Sequence, residues 1–389
     1  MKPLRIGAFF QHMPPYSGAA ALRGASVMSG LVGLEQAKTL QVRVWTTTPS
    51  AIQLPGLRIT SLPVPEVENA QGLLARALGE IRMGWVAARH IFSKASACDL
   101  VVVSSPGYVA ALVITGFARW RSVPYVLELR DVYPQVYAEA GLVNRSSWLY
   151  RSFAALSRRM YLGASQVIAA TQGLEREVRN QAPGAQVQCV YNGFPSALTA
   201  RRSIKHERFT VCFHGILGFF QDVETLVEVA RLLQAADIDV LTIGYGRKEQ
   251  ALQQAQLPNL KFLGRLSFDD TMAQVERCHL GLCLRLDDGI SKDAFPVKVW
   301  EYLGLGIPSL VTPPCEAGNF LQEHACGLQF KAGDVQAIVN AVVMLRNDSA
   351  QLAALSQRCR TTSMAFTREQ TGLAAAQLIH QAARGTRPI

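Results

Sequence analysis

The sequence predicts two α/β domains, each a parallel sheet wrapped by helices, facing a central cleft. Three observations predict it. Short β-rich apolar runs alternate with longer helical stretches along the chain. The strand candidates are continuously apolar, as in strands covered by helices on both faces. The alternation pauses once, near Asn192, and then restarts, so that 389 residues divide into two halves. That length suits two domains at about 150 residues or somewhat more each.

In the first half the strand candidates are Leu4–Phe10, Val42–Thr46, Leu100–Val103, Tyr125–Leu129, Gln166–Ala169 and Val187–Val190. Leu22–Leu40, Gln71–Lys94 and Trp148–Tyr161 supply helices between them. At Asn192-Gly193-Phe194-Pro195 the pattern stops, and the basic stretch Thr199–Arg208 reads as a surface linker. Strands resume at Phe209–His214, Val240–Ile243, Leu260–Leu263, Leu280–Leu284, Ser309–Val311 and Gly327–Phe330. The end differs: Asp334–Leu345, Ala350–Thr362 and Arg368–Ala383 are successive helices without strands.

Hydrophobic residues make up 49% and charged residues 17%, which excludes a disordered chain. Thirty-nine basic against 29 acidic residues leave a formal charge of +10. Such an excess points to an anionic partner: a phosphorylated small molecule, an anionic lipid surface or nucleic acid. The eight cysteines, Cys98 to Cys359, form no CxxC pair and mostly sit in apolar runs. They read as reduced core residues of a cytosolic protein, not as a disulfide frame or zinc site. No small-residue cleavage site follows Met1–Phe10, so that run reads as a strand and not a signal peptide. The longest apolar stretch, Tyr108–Ala118, is too short to span a bilayer. The chain is therefore expected in the cytoplasm, meeting any membrane from its surface.

Ligands of open α/β sheets bind beyond the carboxyl ends of the strands. The first such loop carries His12 and then Gly18 before a helix start, where backbone N–H groups can approach an anion. It lacks G-x-G-x-x-G, so a dinucleotide is not indicated. The segment Asp293-Ala294-Phe295-Pro296-Val297-Lys298-Val299-Trp300-Glu301 is more informative. A helix starts near Pro296, its free N–H groups suit a diphosphate, and Lys298 adds charge. Glu301, about one turn on, can accept both hydroxyls of a ribose. On these grounds alone Glu301 is equally well an ordinary exposed helix residue. Gly306-Ile307-Pro308 closes the helix and opens the next strand. In the first half, Arg130-Asp131 follows the strand Tyr125–Leu129 directly. Asp131 suits positioning or deprotonating a hydroxyl, with Arg130 orienting it; a structural ion pair is the alternative.

These residues in this order resemble the retaining GT-B glycosyltransferases of the GT4 family. Glu301 matches the second of the family's two donor-site glutamates, and Asp293 stands in place of the first. Tyr191-Asn192-Gly193 is similar to the turn ending the family's first domain. Phe213-His214-Gly215-Ile216-Leu217-Gly218 is similar to the Gly-rich loop under the donor phosphates. The family often places Arg and Lys just after that loop, where Phe219, Phe220 and Gln221 stand here. Phosphate charge is then expected from Lys298, Lys292 or Arg247. Gly244 and Arg265 fall in the next two loops. Arg130-Asp131-Val132-Tyr133-Pro134 and Pro296-Val297-Lys298-Val299-Trp300-Glu301-Tyr302 are closest to the subgroup making bacterial surface polysaccharides, of N-acetyl-deoxyhexosamine type.

The resemblance implies an acceptor domain over 1–197, a donor domain over 206–365, and a segment 366–389 crossing back to the first domain. It implies a nucleotide-diphosphate sugar donor, UDP-linked, and a front-face retaining mechanism with no cofactor and no metal. The donor would be held by Gly18, Gly215, Gly218, Gly244, Arg265, Asp293, Phe295, Pro296, Val297, Lys298 and Glu301. Asp131 and Arg130 would be catalytic. The acceptor would be a glycan or a polyprenyl-diphosphate-linked sugar. Basic and aromatic residues interleaved in the first half, such as Trp148, Tyr150, Arg151, Arg158 and Arg159, fit docking at an anionic membrane. No recognised nucleic-acid module is present. A sugar-nucleotide epimerase on the same scaffold, or a non-catalytic subunit binding a sugar nucleotide or a partner transferase, are the alternatives.

Overall fold

The computed structural model describes residues 3–16, 19–34, 40–50, 52–64, 73–105, 107–139, 141–287 and 291–385. Gly18, expected at the donor site, lies outside the described residues. The chain divides into two units, residues 1–192 with 368–389, and residues 193–367. The division falls at Asn192/Gly193 and not at 197. The stretch read as a surface linker is pinned to the second unit: Lys205 Nζ donates to the carbonyls of Glu276 (3.0 Å) and Cys278 (2.6 Å).

The first unit opens with β1 (Leu4–Phe9), α1 (Ala19–Leu34), β2 (Leu40–Thr46), β3 (Leu57–Ser61) and α2 (Leu73–Ile91). β4 (Leu100–Ser104), α3 (Tyr108–Trp120), β5 (Tyr125–Leu129), α4 (Gln135–Glu139) and α5 (Trp148–Gly163) follow. β6 (Gln166–Ala169), α6 (Gln172–Gln181) and β7 (Val187–Cys189) complete its sheet. All pairs are parallel, in the order β3-β2-β1-β4-β5-β6-β7. Alternate residues face opposite ways. Val101, Val103, Leu127 and Leu129 join one core; Leu100, Val102, Val126 and Ile168 join the other. That two-sided burial is why the strands read as unbroken apolar runs.

The second unit carries α7 (Ala197–Ala200), β8 (Thr210–Ile216), α8 (Val223–Leu233), β9 (Asp239–Tyr245) and α9 (Glu249–Gln254). Then come β10 (Leu260–Phe262), α10 (Phe268–Val275), β11 (Leu280–Leu284), α11 (Val297–Leu305) and β12 (Ser309–Thr312). α12 (Glu316–Glu323), β13 (Gly327–Gln329), α13 (Val335–Asn347) and α14 (Ser349–Ser363) end it. Its parallel sheet runs β10-β9-β8-β11-β12-β13. The last helix, α15 (Arg368–Gly385), belongs to the first unit, as expected, and its Ala375, Ala376 and Ile379 share a core with Val27 and Met28 of α1.

α1 and α15 touch backbone to backbone. A Cβ on Gly30 would lie 2.4 Å from the Gly372 carbonyl oxygen, and one on Gly372 2.4 Å from that of Ser26. Gly33, also in α1, has open space around it. Gly372→Val is expected to lower unfolding free energy by about 1–3 kcal/mol, the scale of overpacking. Gly33→Ala should instead be neutral or slightly stabilising. Thermal unfolding of both variants checks this; equal stability would contradict the contact.

Candidate active site

In the second unit β8 pairs with β9 on one side and β11 on the other. The strand order reverses there, and the carboxyl ends of strands at such a point form the ligand crevice of α/β sheets. Gly215 leaves β8 with φ +117°, and a Cβ there would face Lys298 Nζ at 3.7 Å. A Cβ on Gly244 would collide with the Gly215 carbonyl oxygen at 2.0 Å. Gly215 is thus favoured by its positive φ, at which a Cβ would be strained, and Gly244 by the close approach that lets β8 and β9 exit side by side. Gly218 closes a turn by accepting from the Gln221 N–H at 3.2 Å.

α11 is buried from Lys298 to Leu305, with only its first residue, Val297, half-buried. Its N-cap is Pro296, extended, and no side chain caps the helix. Its end is set by Gly306 at φ 68°, a conformation glycine adopts without a Cβ clash. Tyr302 Oη donates to the carbonyls of Cys212 (3.1 Å) and Leu282 (3.3 Å), stitching the helix to β8 and β11. Phe295 is buried with its ring stacked on Trp300 at 4.0 Å. Its side chain is core, which leaves its backbone, with Pro296 and Val297, at the mouth of the helix.

Lys298 is 8% exposed. Its Nζ donates to Gln221 Oε1 at 2.9 Å and lies 3.7 Å from the Phe213 ring centroid. Burial lowers its pKa from 10.5 to about 8; Arg285 pushes the same way, and the Cys283 thiol and the Glu301 carboxylate oppose. Below pH 8 both folded and unfolded chains carry this proton, and burying the charge costs on the order of 3 kcal/mol. As pH rises from about 8 to 10.5 the cost disappears, because the unfolded chain alone still holds the proton. Lys298→Met should therefore be more stable than the parent at pH 7, with the difference shrinking by pH 10. Urea unfolding at both values measures it; a pH-independent difference would contradict the burial argument.

Glu301, 8% exposed, is not the exposed helix residue that spacing alone allowed. Its Oε2 lies 3.6 Å from His214 Nε2. Burial and the Lys298 charge push His214 down to about 3, so the imidazole is neutral at pH 7. Asp293 sits in the short 3-10 turn Ser291–Asp293 before the helix, partly exposed, 4.0 Å from Lys292 Nζ. Arg265 is exposed and lies over the Tyr245 ring at 4.4 Å. Arg247 lies over Phe219 at 5.1 Å. Lys298, Glu301 and Gly215 thus come together, with Gln221 and His214 beside them. Two residues were missed. His214 lies inside a strand whose apolar pattern hides it. Arg285 is the first residue after β11, the kind of position that singled out Arg130.

In the first unit Asp131 follows β5, partly buried in a bend. Burial raises its carboxyl pKa, with Glu128 adding and Arg130 and Arg76 opposing. Arg130 makes no direct ion pair with Asp131 among the described residues. The two charges still act on each other, although the carboxylate acting most strongly on Arg130 is Glu128. Glu128, 1% exposed, pairs with Arg23 and accepts from Ser104 Oγ. It is a structural carboxylate. Tyr133 stacks on Tyr108 at 4.7 Å beneath this strand end.

No helix among the described residues is long and apolar enough to cross a membrane. None of the eight cysteines forms a disulfide among the described residues.

A family model described as a glycosyl transferase 4-like domain matches residues 19–193, and one for glycosyl transferases group 1 matches residues 208–348. A curated relative, the probable glycosyltransferase WbjE of Pseudomonas aeruginosa, is 24% identical over 295 residues, covering 70% of this chain and 72% of its own. Among solved structures, WaaG, a glycosyltransferase involved in lipopolysaccharide biosynthesis, superposes with a TM-score of 0.69 at 16% identity, covering 96% of this chain and 99% of its own. Anabaena HepE in complex with UDP gives 0.68 at 13% identity, covering 97% and 100%. These structural likenesses show the fold, and the family matches cover both halves of the chain. The chain belongs to the GT4 glycosyltransferases of GT-B fold.

Proposed function

We propose that this glycosyltransferase moves a sugar, with retention, from a UDP-linked donor to a glycan or polyprenyl-diphosphate-linked acceptor of a bacterial surface polysaccharide. The carrying observation is the buried Lys298–Glu301 pair just inside the uncapped N-terminus of α11, where the strand order reverses. A cation and free helix N–H groups suit a diphosphate, and a carboxylate one turn on suits a ribose. WbjE and WaaG by their names, and HepE by its bound UDP, support the sugar-nucleotide and polysaccharide parts of the reading.

In the reaction the bond from the sugar C1 to the β-phosphate oxygen breaks, and its electron pair leaves with the phosphate. The acceptor oxygen bonds to C1 on the same face. Its proton goes to the departing phosphate oxygen, with Asp131 orienting the hydroxyl. Lys298 and the helix N-terminus supply the positive charge that a metal supplies elsewhere, so no divalent ion is required. Trp85, Trp120 and Trp148 are exposed, Trp148 at 75%, beside exposed Arg82, Arg121 and Arg151. These exposed aromatic and basic side chains support docking of the first unit at an anionic bilayer, where a polyprenyl-linked acceptor resides.

The test is to incubate the chain, in excess EDTA, with UDP-, GDP- and dTDP-sugars and polyprenyl-diphosphate-linked acceptors, and to weigh the products. One acceptor should gain one sugar from a UDP-linked donor at full rate. Activity lost in EDTA and restored by Mg²⁺ or Mn²⁺ would overturn metal independence. An altered donor without acceptor gain would show an epimerase. No conversion at all would favour a non-catalytic subunit.

A further inference from the structure

Arg285 is the least satisfied buried cation beside the site. It is 9% exposed, and its Nε is buried without a hydrogen-bond partner. Among the described residues no carboxylate or carbonyl accepts from its guanidinium. Its main chain, in contrast, is held firmly: the N–H donates to Thr312 O (3.1 Å) and Oγ1 (3.2 Å). The guanidinium lies over the Phe220 ring at 5.6 Å. Arg23 shows what a buried structural arginine looks like in this chain: it bonds Glu128, the Val190 carbonyl (2.7 Å) and Asn192 Oδ1 (3.2 Å).

Arg285 and Lys298 are held on one strip of backbone. The Asp222 N–H donates to the Leu284 carbonyl and the Leu286 N–H to the Phe220 carbonyl, each at 3.1 Å. This ties the loop after β8 to the exit of β11. Between those bonds, Gln221 bridges to Arg285 and its side chain receives the Lys298 ammonium. Two buried cations therefore lie close enough for the charge of one to act on the other. Burying like charges together is unfavourable unless an anion joins them. An anion with charge on two phosphates, resting at the N-terminus of α11, would supply it.

We propose that Arg285 binds the donor diphosphate, forming with Lys298 a two-cation seat in place of basic residues on the loop after β8. The proposal rests on the reading of the second unit as the nucleotide site. Calorimetry with UDP, UMP and uridine, on the parent chain, Arg285→Gln and Arg285→Lys, tests it. Arg285→Gln should weaken UDP about tenfold to a hundredfold, the scale of charge-assisted hydrogen bonds, UMP less, and uridine not at all. Arg285→Lys should fall between. If the parent binds UDP and a folded Arg285→Gln binds it equally well, the role of Arg285 is overturned and the nucleotide reading stands. If the parent binds no nucleoside diphosphate, GDP and dTDP included, both fall together. Should Arg285→Gln not fold, Arg285→Lys decides: UDP must raise its melting temperature less than that of the parent, and an equal rise overturns the proposal.

Discussion

Asp131→Asn is expected to lower turnover at least about a hundredfold, the lower scale of general acid–base effects, with UDP affinity nearly unchanged. Asp131 belongs to the first unit, whereas the residues read as nucleotide-binding, Gly18 apart, belong to the second. Its burial raises its carboxyl pKa. The sign for stability follows from that shift. Between the ordinary carboxylate pKa and the raised one, the folded chain holds a proton that the unfolded chain has lost, so stability falls as pH rises through that window. Above it the buried charge carries its full cost. Removing the charge at pH 7 should leave the melting temperature equal or higher. A structural ion-pair partner would behave oppositely: the asparagine variant would melt lower and lose nucleotide binding and activity together. The lack of a direct Arg130 pair is why the first outcome is expected.

Glu301→Ala is expected to weaken UDP by roughly 1–3 kcal/mol, the range of hydrogen bonds to charged groups. The carboxylate is buried and presents Oε2 towards a neutral imidazole 3.6 Å away, too long for a hydrogen bond. It also supports the Lys298 charge, so removing it should make the ammonium give up its proton more readily. Glu301→Gln separates the two effects: it keeps the shape and one acceptor oxygen but removes the charge. Calorimetry with UDP and GDP on both variants checks the assignment. Unchanged affinity for both nucleotides would remove Glu301 from the site.

Most of both sheets was legible because their strands are apolar on both faces. β3 escaped for the opposite reason: Leu57–Ser61 lies at the sheet edge, with Arg58, Thr60 and Ser61 exposed. The helix expected over Leu22–Leu40 starts earlier, at Ala19, is described to Leu34, and Leu40 opens β2. Apolar periodicity marks a helical face, but without a distinct cap signal it does not mark the ends. At the site, residues with a chain-local reason were readable. Pro296 before a helix, Gly306 after it and Lys298 between are set by capping and dipole physics. What sequence could not show was which distant cation meets which neutral partner. Gln221 looked like a missing positive charge, yet it is the acceptor for the Lys298 ammonium across 77 residues of chain. Arg130-Asp131 looked like a pair because the residues are adjacent, but the strongest carboxylate influence on Arg130 comes from Glu128.

The reaction proposed for this chain is transfer from a sugar nucleotide with retention of configuration. The most direct measurement is proton NMR of the anomeric centre in the product formed by the pure chain, in EDTA, from the donor it accepts. The expected product carries a glycosidic bond of the same anomeric configuration as the bond to phosphate in the donor. A product of opposite configuration would contradict it.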